Sequence, residues 1–123
     1  GFRLVKRTKT GTTDTSIKSW TIDTFIQANG SFVWANSSYV DIGRVVHATT
    51  SATTADDNGV ALREGPEDTG TIIDAVAWGS AQNVFIEGTV FGTNPSANQV
   101  LTRKEADGVP QDTNVNAEDF YIP

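Results

Sequence analysis

The sequence predicts one all-β domain spanning residues 1–123, built as a β-sandwich of short strands. Three observations point there. Hydrophobic residues make up 37% and charged residues 20%, less than in an average globular chain yet more than in a disordered one. Thr, Ser, Asn and Gly fill the difference, and these suit strand surfaces and turns better than long helices. Finally, short apolar runs alternate with turn signals roughly every ten residues, and helical periodicity is almost absent.

Composition also excludes chemistry. The chain has no cysteine, which removes disulfides, thiolate metal sites and cysteine nucleophiles. Its one histidine, His47, rules out multi-histidine zinc sites. No apolar run reaches the roughly 18 residues of a membrane helix, and no signal-peptide pattern is present. Methionine is missing even at position 1, as expected of a processed or excised piece of a longer chain.

The elements follow in order. Phe2-Arg3-Leu4-Val5 opens an extended run that continues through Arg7 and Thr8. Thr10-Gly11-Thr12-Thr13-Asp14 is a turn cluster. Ile17, Trp20 and Ile22 belong to the next extended segment. Asn29-Gly30 is read as a type I′ hairpin signal leading into a strand at Phe32-Val33-Trp34-Ala35. A further strand is expected between residues 43 and 48, and a loop over residues 49–58. Val60-Ala61-Leu62-Arg63 and the apolar run from Thr71 to Trp78 flank a Gly/Pro-containing loop, giving a β-hairpin. Weak pairing is expected for residues 84–89, and a short strand for residues 100–103. The large apolar residues at strand positions, Leu4, Ile22, Val33, Leu62, Ile72, Val76, Trp78, Leu101 and Phe120, form the predicted core.

The opening Gly1-Phe2-Arg3-Leu4, Trp34-Ala35-Asn36, the hairpin over 60–78 with its Ile73-Asp74, Leu101-Thr102-Arg103 and the ending Asp112-Thr113-Asn114-Val115-Asn116-Ala117-Glu118-Asp119-Phe120 together carry a resemblance. In this order and over nearly the whole chain, they resemble the lamin-tail domain, the tail domain of intermediate-filament proteins. The pattern is more similar to bacterial members in large surface or secreted proteins than to nuclear lamins. The resemblance implies an immunoglobulin-like sandwich and a non-catalytic structural module for binding or anchoring. It also implies a protein or cell-surface partner and a location outside a bacterial cell or on its surface. Family members usually begin with a strand or two before the Gly-aromatic-x-Leu segment, and this chain starts at that segment. The expected sandwich therefore lacks those strands, and its basic first strand lies at a sheet edge. Such an edge either recruits a second copy, receives a later segment of the same chain, or stays hydrated.

Charge is divided unevenly. Residues 1–55 hold six basic residues against Asp14, Asp23 and Asp41, whereas residues 56–123 hold three basic residues and twelve acids. Arg3, Lys6, Arg7 and Lys9 are the candidate anion- or partner-binding set; the plainer reading is a solvated edge strand whose cations discourage aggregation. The acidic second half opposes phosphate tracking, so a nucleic-acid role ranks third.

Asp112, Asn114, Asn116 and Asp119 offer oxygen ligands at the spacing of a Ca²⁺ loop, although the Gly and Glu of an EF-hand are missing. The structural alternative is a set of Asx-turns that pins the last strand. A calcium- or carbohydrate-binding adhesion module, using this loop or Trp20, is the alternative function. Trp34 and Trp78 are assigned to the core and Trp20 is left open. Asp74 lies inside an apolar strand, so it either faces solvent or has a partner; Arg103 is the first choice and Arg63 the second. Paired carboxylates occur without a recognisable glycosidase context, and no Ser-His-Asp set assembles around His47. Asn29-Gly30-Ser31 and Asn36-Ser37-Ser38 match glycosylation acceptors and are read as a turn and a strand end. The chain is expected to be non-enzymatic, without a cofactor other than a candidate Ca²⁺, and without membrane insertion.

Overall fold

A computed structural model describes residues 1–40 and 43–123; Asp41, one of the three acids of the first half, lies outside the described residues. The chain is all-β. Its centre is a four-stranded antiparallel sheet in the order β2-β1-β5-β6, made of β1 (Phe2–Arg7), β2 (Thr15–Ser19), β5 (Gly59–Glu64) and β6 (Thr71–Ala77). Three two-stranded sheets flank it in sequence: β3 (Trp34–Asn36) with β4 (Ala48–Thr50), β7 (Thr102–Arg103) with β10 (Phe120–Tyr121), and β8 (Glu105–Ala106) with β9 (Val109–Pro110). A single turn of helix, α1 (Asn116–Asp119), precedes β10.

Strand alternation gives the central sheet two unlike faces. Pairing of Val5 with Ala61, Ala61 with Ala75, and Arg7 with Gly59 puts these residues on one face. Phe85, from the stretch after β6, completes a core cluster with Val5, Ala61 and Ala75, and Ile72 packs against it. The small residues are what let Phe85 approach. A Cβ added at Gly59 would come within 3.0 Å of the Phe85 Cβ and 2.8 Å of Asn83 Oδ1.

The other face carries Phe2, Leu4, Val60, Leu62 and Val76. Over Val60 and Val76 it meets Leu101 and the buried Phe120, which line a common crevice. An irregularity between Leu62 and Arg63 places Asp74 opposite Leu62 and Ile72 opposite Arg63, leaving Ile73 as the extra residue.

The outer edge of β6 is closed by a side chain and, at its Ala77 end, by a single backbone bridge between Trp78 and Phe91. The Asn116 amide donates to the Ala75 carbonyl (3.1 Å) and accepts from the Ala77 N–H (3.1 Å) and the Glu87 N–H (3.1 Å). These buried backbone groups would otherwise be left without partners, which is costly.

Several expectations need correction. The first strand is central, with β2 and β5 on either side, so the edge expected at Arg3–Arg7 does not exist; the hairpin to β2 occupies that place. Asn29 has a positive φ of 60°, and the Gly30 N–H bonds to the Gln27 carbonyl at 2.8 Å. The turn joins no ladder, however, and β3 finds a parallel partner in β4. The type I′ signal that does form a hairpin is Asp107-Gly108, where φ is 53° and 76°, both positive as that turn requires. The strand expected before residue 48 is β4, displaced toward the Thr-rich segment read as loop. Residues 84–89 form no strand. In the predicted core, Trp78 and Phe120 are buried, but Ile22 is 80% exposed and Leu4, Val33, Leu62, Ile72, Val76 and Leu101 are only half-buried.

Candidate binding cleft and buried charge cluster

The four candidate cations do not share a surface. Arg7 is only 6% exposed: its Nε donates to Asp14 Oδ1 at 2.7 Å, and its guanidinium lies 5.3 Å from the centre of the Phe85 ring. Arg63, 4% exposed, donates to Asp14 Oδ2 at 2.6 Å and stands 5.5 Å from the same ring. Phe85 thus meets two guanidinium groups, and the Asp14 carboxylate, fully buried as a side chain, joins them. The Asp68 N–H closes on Asp14 Oδ2 at 2.8 Å. Burial alone would raise the Asp14 pKa, but the hydrogen bonds from Arg63, the Asp68 amide and Arg7 outweigh it and hold the carboxyl below the ordinary aspartate range. Arg7 therefore leaves the anion-binding set, because both its exposure and its charge are taken.

The others are engaged separately. Arg3 donates to the Gly65 carbonyl at 2.7 Å and pairs with Glu67 at 3.5 Å. Lys6 reaches the Thr53 carbonyl, and Lys9 pairs with Asp57 at 3.8 Å. Alternation along β1 sends Lys6 to the face opposite Arg3 and Arg7.

The calcium-spaced loop is spent on backbone. Asp119 accepts from the Thr113 N–H and hydroxyl (both 2.8 Å), from Gln111 Nε2 (3.1 Å) and from the Val115 N–H (3.3 Å). Burial works to raise its pKa, yet these bonds from Thr113, Gln111 and Val115 lower it on balance. Asp112 accepts from the Asn114 N–H at 3.2 Å, an Asx-turn. Asn116 is turned toward β6, as described above. The four residues do not converge, and among the described residues no group of three or more His, Cys, Asp or Glu is placed to hold a metal ion.

Asp74 and Arg103 do pair. Arg103 Nη2 lies 2.7 Å from both Asp74 oxygens, its Nη1 donates to the Gln111 carbonyl at 2.9 Å, and its guanidinium sits 4.5 Å from the Phe120 ring centre. The pair ties β6 to β7 and to the final loop.

The feature that sequence reasoning missed is an open cleft of about 970 Å³ over the β1 and β5 half of the sheet. Phe2, Leu4 and Leu62 form its floor, and Trp20, Phe32 and Trp34 stand along it. Trp20 meets Phe32 edge-on at 5.4 Å, and Phe32 stacks on His47 at 5.1 Å. His47 Nδ1 accepts from the Val33 N–H at 2.9 Å, so the histidine supports this wall. The Trp34 indole donates to the Thr50 hydroxyl (2.9 Å), which in turn donates to the Ile17 carbonyl (2.9 Å) on β2. Ile22, Phe25 and Ile26 make the lip, and Phe25 is 85% exposed. Two carboxylates, Asp23 and Glu64, also line the cleft. Neither is in an ion pair among the described residues, and the Trp20 indole N–H likewise has no partner there. The signal available in the sequence was the run of aromatic and aliphatic residues between 20 and 34 without strand alternation.

No helix of the described residues is long and apolar enough to cross a membrane. No family model, curated protein or solved structure matches the chain.

Proposed function

We propose that this chain is a non-catalytic binding or anchoring module with a lamin-tail-like, immunoglobulin-type sandwich, part of a larger bacterial surface or secreted protein. Its partner is a protein or cell-surface structure that seats in the cleft over Phe2, Leu4 and Leu62. The observation carrying this reading is the cleft itself. Large apolar side chains stand in solvent beside ordered aromatic rings, and contiguous exposed apolar surface of this kind marks interaction sites. The lamin-tail likeness rests on the ordered motifs. Their most specific part, Arg103 with the 112–120 ending, is one connected hydrogen-bonded unit, which suits an architectural role for these residues.

The neutral apolar dye Nile red tests the cleft. It should bind one site, quench tryptophan fluorescence, and lose about tenfold or more in affinity in Trp20→Ala, the scale of losing one large aromatic contact. Dye binding unaffected by that substitution would remove the cleft from consideration. A glycan-array response lost in Trp20→Ala would favour the carbohydrate-binding adhesion reading instead. Hydrolase activity that disappears with a single carboxylate would overturn the non-catalytic assignment.

A further inference from the structure

The geometry points to a specific occupant of the cleft: a protein segment that inserts large aliphatic or aromatic side chains beside Trp20 and carries Lys or Arg next to them. This rests on the reading of the cleft as a binding site and goes further in assigning its partner's chemistry. Leu4, Leu62, Ile22 and Ile26 offer only hydrocarbon, so most of the contact must be apolar. Sugar hydroxyls would find partners only at the rim groups Asp23, Glu64, Thr21, Thr24 and the Trp20 indole, and none on the Leu4 and Leu62 floor. Charge decides the rest. Asp23 and Glu64 are the charged side chains on the cleft lining, both negative and neither in an ion pair among the described residues; together they outnumber the positive α-amino group of Gly1 on the same lining. Low-dielectric walls focus the field of such carboxylates into the cleft.

A cation on the partner is therefore attracted and an anion repelled. The same argument weighs against a second copy of this chain. A symmetric contact would bring Asp23 and Glu64 of both copies together, on a chain whose formal net charge is already −6. An anionic bilayer meets the same repulsion.

The test uses the whole chain and three short leucine-rich peptides that differ only in their flanking residues: lysine, glutamine or glutamate. At low salt the lysine peptide should bind about tenfold more tightly than the glutamine peptide, with the glutamate peptide weakest, as two nearby carboxylates at a protein surface allow. Raising the salt several-fold should shrink the preference, since screening shortens the reach of exposed charges. The double substitution Asp23→Asn with Glu64→Gln should abolish the preference while Nile red still binds, which shows that the cleft is intact. Equal binding of all three peptides, with the dye bound normally, overturns the basic-partner assignment and leaves the cleft as a binding site. Failure of the dye to bind overturns the underlying reading as well. Concentration-dependent dimerisation that the lysine peptide does not reverse would make a second copy the occupant and sink the proposal.

Discussion

The two faces of the central sheet reverse the usual distribution of residues. One face buries Arg7, Arg63 and the Asp14 carboxylate around Phe85, over Val5 and a row of small residues. The other holds Phe2, Leu4 and Leu62 under an open cleft. What lies opposite a strand decides its burial as much as its own side chains do. The small residues Gly59, Ala61, Ala75 and Ala77 admit Phe85 close to the backbone, both guanidinium groups approach its ring, and the Asp14 carboxylate between them offsets their mutual repulsion. On the opposite side Trp20, Phe32 and Trp34 stand along an open cleft instead of closing over Leu4 among the described residues, and Leu4 stays half-buried.

The most severe disruption of the buried face comes from removing the shared carboxylate. Asp14→Ala removes the carboxylate shared by two buried guanidinium groups, leaving Arg7 only its longer contact to Asp68 (3.3 Å), and should cost about 3–5 kcal/mol. Phe85→Ala should cost a similar ~3–5 kcal/mol through cavity formation. Urea denaturation measures both; a loss under about 1 kcal/mol, the scale of surface changes, would mean the cluster is solvated. Acid should reveal the same group. Because the folded-state pKa of Asp14 lies below its unfolded value, its stabilisation is fully present above the unfolded value. It is then lost as pH falls through the folded one. Asp14→Asn should make that acid limb shallower without flattening it, since Asp57 and Asp119 are also lowered.

These charges explain how much of the molecule was legible in advance. The hairpin from β5 to β6 and the first two strands follow from alternation and turn residues, which are local signals. The cost of burying an unpaired carboxylate in an apolar strand leaves Asp74 either solvent-facing or partnered, and both hold: it pairs with Arg103 while its side chain stays 44% exposed. Arg7 was misplaced because a basic strand residue is usually solvated, and only the arrival of Phe85 from a non-strand segment makes its burial favourable. Size and alternation point Leu4 and Leu62 inward, while the deeper positions belong to Val5 and Ala61. The cleft depends on segment 20–33 forming no strand, which is a tertiary outcome without a local signature. The Asx-turn alternative for the 112–119 loop matches the observed bonds, whereas the placement of Asn116 against β6 had no sequence signal.

Asn116→Ala should have an intermediate effect. It strips partners from the Ala75 carbonyl and from the Ala77 and Glu87 amides, an expected loss of roughly 1–3 kcal/mol. Hydrogen exchange should accelerate most at Ala77, whose N–H is bonded to this side chain, and least at the central strand β1. Uniform acceleration across the sheet would show instead that the edge opens only with global unfolding.

Glu87→Gln should be smaller and of opposite sign. Burial, then the fields of Asp74 and Asp112, raise the Glu87 pKa above the ordinary glutamate range. Ionisation is thus disfavoured in the folded state, and the resulting deficit is absent below the unfolded pKa, grows as pH rises through the folded value and is complete above it. Glutamine retains an oxygen for the Asn116 amide without the charge. A gain of about 0.5 kcal/mol, typical of relieving one partly exposed repulsion, is expected at neutral pH and should vanish in acid; a gain independent of pH would implicate packing instead.

The smallest effect is expected on the open face, where it says most about the comparison. Phe25→Ser and Ile22→Ser each remove a large apolar side chain, which in a core would cost several kcal/mol. At 85% and 80% exposure these side chains have little burial to lose, so each substitution should stay within about 0.5 kcal/mol of the parent chain. Their effect should appear in Nile red binding, which needs the lip, while the urea midpoint stays fixed. A destabilisation above about 1.5 kcal/mol, well beyond ordinary surface effects, would show that segment 20–33 closes over Leu4 and Leu62 in solution. The second face would then be an ordinary core, and the contrast between the two faces would disappear with it.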